Sequence, residues 1–203
     1  MKRVLLLIII APFIFLGCKD QNKEDVDDKT PVAEEELYDL EPDDTFNDIV
    51  TIFESIEQDP NYNSLLKLAN QAQMIDDIKD LNDVTFFAPT NAAINKLSDQ
   101  EYANLRLPQN MNRLQNILRY HIVEGEQDAA TLMAAIRNNL DKPYRLQTIQ
   151  GGYIALTLND GDIIITDEGG STSKVTEPNK EASDGVIHGV ENLLLPNKQK
   201  DLN

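Results

Sequence analysis

Two histidines, His121 and His188, are the first residues in this 203-residue chain whose side chains could take part in a reaction. An imidazole can act as a general base or as a metal ligand, and Tyr120, next to one of the two, could assist it. The alternative is that each ring lies in the core and forms hydrogen bonds with the backbone. We favour the core interpretation, and we predict no catalytic residue, no metal ligand and no cofactor.

The other patterns with catalytic potential are incomplete in this sequence. A serine nucleophile elbow would read G-x-S-x-G, which does not occur. The triplet Asp160-Gly161-Asp162 lacks the rest of a calcium-binding loop, so a hairpin turn is the better interpretation. Gly151-Gly152 lacks the flanking residues of a phosphate-binding loop. The sequence therefore predicts a protein that is not an enzyme.

Cys18 is the single cysteine, which excludes an intramolecular disulfide and a multi-cysteine metal site. The chain begins with the positively charged Met1-Lys2-Arg3, and residues 4–16 are apolar. This stretch is too short to span a membrane and is typical of a signal peptide. Phe15-Leu16-Gly17-Cys18 resembles the lipobox of bacterial lipoproteins, which implies cleavage before Cys18 and a diacylglycerol on its sulfur. The alternative is a plain signal peptide with an accidental cysteine.

Acidic residues dominate the chain, whose formal net charge is −17. This charge excludes a nucleic-acid partner, because phosphate groups need a basic surface. Residues 18–44 hold 12 acidic residues and 3 Lys, a net of −9, with few apolar residues between them. We therefore predict a signal peptide at 1–17, a disordered acidic tether at 18–44 lipidated at Cys18, one folded domain at 45–197, and a polar tail at 198–203.

The spacing of apolar residues changes within the folded domain, from a helical period to a strand period, and these helices and strands must position the candidate residues. Helical spacing dominates from a cap at Thr45 as far as Tyr120, interrupted by a buried strand at 84–87 that ends at Pro89. Beyond Tyr120 a helix is expected at 129–140. Strands are expected at 144–149, 153–158, 162–166 and 185–195, with a further strand at 173–176 inside an otherwise exposed loop, 169–181. Helices followed by strands predict an α+β fold.

Three segments resemble, in order, the signature motifs of fasciclin-like domains. Residues 85–94 (T-F-F-A-P-T-N-A-A-I) are similar to the first motif, residues 119–125 (R-Y-H-I-V-E-G) to the central Tyr-His motif, and residues 183–196 (S-D-G-V-I-H-G-V-E-N-L-L-L-P) to the closing motif. Ile94, Asp184 and Gly189 depart from the family pattern. The resemblance implies structural roles for Thr85, Phe87, Pro89, Thr90, Asn91, Gly185, His188 and Pro196.

The resemblance also implies a fold and a function. The expected fold is a single domain, a β-wedge of about seven strands flanked by several helices. The Tyr-His segment of extracellular relatives is tied to cell adhesion, which makes Tyr120 and His121 candidates for an interaction site. The favoured function is a non-catalytic binding or adhesion module. The alternative is an accessory lipoprotein of an outer-membrane nutrient-uptake complex, engaging a TonB-dependent transporter and binding a glycan or peptide.

The lipid anchor sets the expected partners and location. The partners are the membrane, and a protein or glycan at the cell surface or an outer-membrane transporter. Residue 19 is Lys and not Asp, so the chain shows no resemblance to the inner-membrane retention signal. The acidic residues from Asp20 to Asp28 weakly resemble signals for export to the cell surface, although an acidic run is also simply a solvated linker. We expect the outer membrane, with the cell surface favoured over the periplasmic face.

Overall fold

The structure is a computed structural model and describes residues 49–139 and 142–197. The predicted signal peptide, the tether with Cys18 and the tail at 198–203 lie outside the described residues, as do the first residues of the predicted domain, 45–48. In the part of the chain that is described, no helix is long and apolar enough to cross a membrane.

The described residues form seven α-helices, six of which precede residue 121, as the helical spacing predicts. In chain order these are α1 (Ile52–Gln58), α2 (Asn63–Gln71), α3 (Ile75–Lys79), α4 (Asn91–Ile94), α5 (Asp99–Leu105), α6 (Met111–Tyr120) and α7 (Ala129–Asn138). Two 3-10 turns, Pro60–Tyr62 and Pro108–Asn110, precede α2 and α6.

A side-chain cap decides where α1 begins. Thr51 Oγ1 accepts a hydrogen bond from the Glu54 N–H at 3.2 Å, and Glu54 Oε2 accepts one from the Thr51 N–H at 2.9 Å. This reciprocal pair is a capping box, which satisfies two backbone donors that the helix leaves free. The helix therefore starts after Thr51 and not after Thr45. Ile49, expected on the apolar face of the helix, is 63% exposed.

Seven strands form one sheet, which confirms the α+β class and the expected strand number. They are β1 (Val84–Pro89), β2 (Ile122–Glu124), β3 (Tyr144–Gln147), β4 (Tyr153–Asn159), β5 (Asp162–Thr166), β6 (Thr172–Ala182) and β7 (Gly185–Val190). Their spatial order is β2-β1-β7-β6-β5-β4-β3. β1 and β7 are parallel, and the other neighbours are antiparallel. The two edge strands approach each other, because Val123 of β2 bridges to Thr148 just beyond β3.

Strand β1 separates two hydrophobic cores, because its side chains alternate between them. Phe86 packs with Leu118 and the apolar faces of the N-terminal helices. Phe87 packs on the other side, with Leu132 of α7 and Ile154 of β4. Both phenylalanines are fully buried. A strand buried on both faces has no polar alternation, which is why this segment is an almost continuous apolar run.

Strand β6 corrects the prediction of an exposed loop at 169–181. Residues 172–182 form a strand that joins β5 to β7. Its register against β7 shifts between Val175 and Glu177 and again between Glu177 and Lys180. The second shift contains Pro178 and Asn179, the latter with a φ of 61°. A bulge interrupts the two-residue period and tolerates proline, so this strand resembles a loop in the sequence.

The two residues before β7, Ser183 and Asp184, form hydrogen bonds with the start of the described chain. The Ser183 N–H donates to the Val50 carbonyl oxygen at 3.0 Å, and the Ile52 N–H donates to Asp184 Oδ1 at 2.7 Å across 132 positions. Gly185 allows the close approach that this needs, since a Cβ there would lie 2.9 Å from Ile52 Cδ1 of α1 and 2.2 Å from the carbonyl oxygen of Val84 in β1. The closing motif thus fixes α1 against the sheet.

Candidate functional site

The ring of His121 lies between α6 and β2 and has no exposed surface. Its Nδ1 is 2.7 Å from the carbonyl oxygen of Ile117, and its Nε2 is 3.0 Å from the backbone nitrogen of Leu194. A carbonyl only accepts and a backbone N–H only donates, so Nδ1 carries the proton and Nε2 accepts. The carbonyl oxygen of His121 accepts a further hydrogen bond from the Phe87 N–H at 2.9 Å. One residue thus joins α6, β1 and the segment after β7.

His188 on β7 is equally buried, but its two nitrogens have the opposite roles. Nε2 donates to the carbonyl oxygen of Gln127 at 2.8 Å, and Nδ1 accepts from the Asn179 N–H at 3.1 Å. Phe87 stacks on the ring, with 5.5 Å between centroids and 29° between planes. The ring therefore joins β7 to the bulge of β6 and to the loop before α7.

Neither imidazole has a nitrogen free for chemistry. One nitrogen of each ring donates to a carbonyl and the other accepts a backbone N–H, so binding a proton or a metal would break a buried hydrogen bond. Burial lowers the pKa of His121 to about 4 and also lowers the pKa of His188, because an imidazolium is poorly solvated inside the protein. Among the residues described, no group of three His, Cys, Asp or Glu could hold a metal ion. The geometry fits the core interpretation of both rings.

Tyr120 is also fully buried. Its hydroxyl donates to the Tyr153 carbonyl oxygen at 2.6 Å and accepts from the Glu168 N–H at 3.0 Å, and burial raises the pKa of the phenol. Because Tyr120 and His121 expose no surface, their side chains cannot touch a partner. This corrects the hypothesis of a direct interaction site there. The residues that cover them come from the β3–β4 turn and from the segment after β7. Their burial therefore could not be inferred from the Tyr-His motif alone.

Thr85 of the first motif belongs to the same internal network as His188. Its Oγ1 donates to the Gly125 carbonyl oxygen at 2.6 Å and accepts from the Gln127 N–H at 2.9 Å. Gln127 therefore binds Thr85 through its N–H and His188 through its carbonyl oxygen. The two motif residues together hold the loop between β2 and α7.

The remaining motif residues also act inside the fold. Pro89 is the last residue of β1, and Pro196 is buried after β7. Thr90 caps α4 by accepting an N–H of its first turn at 3.2 Å. Asn91 accepts from the Ser64 N–H at 2.8 Å and so ties α4 to α2. The predicted structural residues thus organise the scaffold.

An exposed surface lies on the outer face of β3 to β6. Tyr153 on this face is 38% exposed, and the guanidinium of Arg145 lies 4.6 Å from the centroid of its ring. Tyrosine and arginine are the residue types that most often anchor interfaces. Half-exposed and exposed side chains continue the face across the strands, namely Gln147, Thr157, Thr166 and Thr172.

An open groove adjoins this face where α7 ends and β3 begins. It consists of two cavities of about 760 and 570 Å³, which share Asn139, Lys142 and Pro143. Sequence reasoning singles out none of these residues, because the groove forms only when α7 packs against β4. The signal available in the sequence is the closeness of three basic residues, Arg137, Lys142 and Arg145, with one acidic residue between them in an acidic domain.

The family model of the Fasciclin domain matches residues 60–196, more than half of the chain. The chain therefore belongs to the Fasciclin domain family. Its fold is similar to a solved FAS1 domain pair from the insect cell adhesion molecule Fasciclin I, with a TM-score of 0.62 and 18% identity. That match covers 76% of this chain and 53% of the other.

Individual relatives are distant and differ in length. Protein sll1483 of Synechocystis sp. is 26% identical over 147 residues, which cover 72% of this chain and 74% of that protein. Periostin of Homo sapiens is 27% identical over 146 residues, which cover 72% of this chain but 16% of periostin. The similarity to the longer proteins is therefore that of one domain. The lipobox at Cys18 stays a prediction.

Proposed function

We propose that this protein is a non-catalytic adhesion module, held to the outer membrane by a lipid on Cys18 and displayed at the cell surface. One observation carries the proposal: Tyr120, His121 and His188 have their polar side-chain atoms engaged inside the fold. The chemically versatile residues of the motifs thus hold a rigid scaffold, and recognition falls to its exposed face. The likeness to a domain pair from a cell adhesion molecule supports the same assignment.

The anchoring part of the proposal rests on the N-terminal sequence. Acyl chains on Cys18 stabilise membrane attachment by about 0.8 kcal/mol for each buried methylene, which makes several chains a firm anchor. The 27 residues at 18–44 would span roughly 30 Å as a flexible coil, and self-repulsion of their net charge of −9 would extend them further. This reach would hold the folded domain clear of the lipid headgroups.

Attachment of intact cells tests the proposal. We would compare the producing bacterium with a strain lacking the protein and with a Cys18→Ala strain, scoring palmitate incorporation, protease access on intact cells and attachment to neighbouring cells and solid matrices. Wild type should incorporate palmitate, be cleaved by external protease and attach more than either other strain. Attachment of the deletion strain equal to wild type would refute adhesion, and palmitate in Cys18→Ala would refute the lipid site.

Co-purification distinguishes adhesion from the alternative function, nutrient uptake. The observation that favours this alternative is a groove large enough for a small ligand. The tagged full chain would be isolated from membranes in mild detergent and its partners identified by mass spectrometry. An outer-membrane transporter in stoichiometric amount would replace adhesion by the uptake function. Its absence, together with attachment of intact cells, would support the adhesion module.

A further inference from the structure

Three exposed cations, Arg137, Lys142 and Arg145, lie near one another in a domain whose net charge is −10 over residues 45–203. Within residues 49–139 and 142–197, no ion pair engages any of these three. Ion pairs to carboxylates at 2.6 to 3.7 Å engage four other cations: Lys96, Arg119, Lys174 and Lys180. No carboxylate therefore neutralises the three charges within these residues, and the contact of Arg145 with the ring of Tyr153 leaves its positive charge in place.

The three cations line the open groove beside α7. Lys142 lines both cavities, Arg145 lines the larger and Arg137 the smaller. Because the cavities share residues, the cations are distributed along one continuous groove instead of converging on one point. A groove of this form fits an extended chain with repeated negative charges better than a single compact anion.

The groove also offers partners for hydroxyl groups. Asn138 and Asn139 line it, and a side-chain amide can both donate and accept, although the amide nitrogen of Asn139 already donates to the Pro143 carbonyl oxygen at 3.1 Å. Pro143, half-buried Tyr144 and Ala155 supply an apolar wall against which the C–H face of a sugar ring can pack.

We propose that this groove binds a polysaccharide built of uronic acids. Arginine and lysine pair with the carboxylates, and the side-chain amides pair with the hydroxyls. A uronate chain carries one charge per sugar. A densely sulfated chain carries more charges than the three cations of the groove can pair, and the surrounding negative domain would repel the unpaired charges. The assignment rests on the proposed binding function, of which it names the ligand class.

Affinity electrophoresis of the full chain in mild detergent tests the assignment, with polygalacturonate in the gel as the probe. Dextran sulfate supplies the sulfated comparison and neutral dextran the uncharged control. The groove variant is Arg137→Gln/Lys142→Gln/Arg145→Gln. The matched control is Lys67→Gln/Lys79→Gln/Arg106→Gln, which removes the same charge from exposed cations outside the groove. Unchanged thermal melting would verify that both variants are folded.

We expect polygalacturonate to retard wild type and the control variant, and the groove variant to lose roughly tenfold or more in affinity. Dextran should have no effect, and dextran sulfate should bind more weakly. Absence of retardation by polygalacturonate, equal losses in both variants, or stronger binding to dextran sulfate would each overturn the uronate assignment. If cells carrying the groove variant attach as well as wild type, only the ligand assignment is overturned. If wild-type cells attach no better than the deletion strain, the adhesion function itself is overturned.

Discussion

The surroundings of His121 and His188 differ although both rings are neutral and fully buried. His121 is enclosed by α6 and the buried Leu194, so its hydrogen bonds connect parts of the core. His188 faces Gln127, which is half-buried, and Asn179, which is exposed, so its bonds hold a surface loop and a bulge. The same residue type thus serves the global fold in one place and the local shape of the surface in the other.

Alanine at each position gives the largest expected effect. His121→Ala should lower the free energy of unfolding by about 3–5 kcal/mol, because it leaves a cavity and two unpaired backbone groups in the core. His188→Ala should lower it by about 2–3 kcal/mol, because water can reach the two partners it abandons. Urea unfolding of the full chain measures both. If His121→Ala does not fold, His121→Asn is measured in its place. Equal losses of stability at positions 121 and 188 would show that the two histidines do not differ in their contribution to the fold.

Acid should act on His121 before it acts on the rest of the core. The pKa of His121 falls from 6.5 in the unfolded chain to about 4 in the fold. The unfolded chain therefore binds more protons between these values, and stability is lost as the pH falls from 6.5 through 4. The loss from this group is on the order of 3 kcal/mol. We expect His121→Asn to unfold with a flatter pH dependence than wild type, measured from pH 7 to 4.5. A wild-type slope retained in His121→Asn would contradict the assignment to this ring.

The bulge around Asn179 allows the His188 region to be changed alone. Asn179 Oδ1 accepts from the Ala129 N–H at 2.6 Å, and its φ of 61° is unfavourable for alanine. Asn179→Ala should cost about 1–2 kcal/mol, because it loses a hydrogen bond and keeps the strain. Asn179→Gly is the matched control and should cost less, since glycine adopts this φ freely. Ring signals of His188 should move in the NMR spectra of Asn179→Ala while those of His121 stay in place; movement of both would show that the regions are coupled.

The smallest expected effect concerns which ring nitrogen carries the proton in each histidine, and it is visible only in NMR chemical shifts. Long-range proton–nitrogen correlation NMR at pH 7 should show the proton of His121 on Nδ1 and that of His188 on Nε2. The two rings should keep these forms down to a pH well below 6.5, because burial lowers both pKa values. Identical forms in both rings would show that one of the two hydrogen-bond patterns is misassigned.

Local signals in the sequence predicted the parts of the fold that depend on local contacts. The apolar run of β1 and the strands β3 to β5 follow from residue types and spacing. The predicted cap at Thr45 placed the start of α1 too early, because the capping box of Thr51 with Glu54 begins the helix. Strand β6 was predicted only at 173–176, because its bulge breaks the alternation that would mark the rest of the strand.

The site was harder to predict than the fold. Burial of Tyr120 and His121 depends on residues far along the chain, such as Leu194, which their own motif cannot reveal. The groove depends on the packing of α7 against β4, so its cations are scattered when the sequence is read residue by residue. What the sequence did offer, three basic residues between Arg137 and Arg145, becomes meaningful once the structure shows that these side chains line two adjoining cavities that share Lys142.

The hydrogen bonds between the start of the domain and the residues before β7 have a mechanical consequence. A pull on the chain at Ile49 loads the bonds from Val50 to Ser183 and from Ile52 to Asp184 before it can unwind α1. These bonds lead into β7, an internal strand paired in parallel register with β1 over six positions. Tension therefore enters the sheet at an internal strand, which cannot be peeled off first because it is paired on both sides. A cell that hangs by this domain would pull against the interior of the fold.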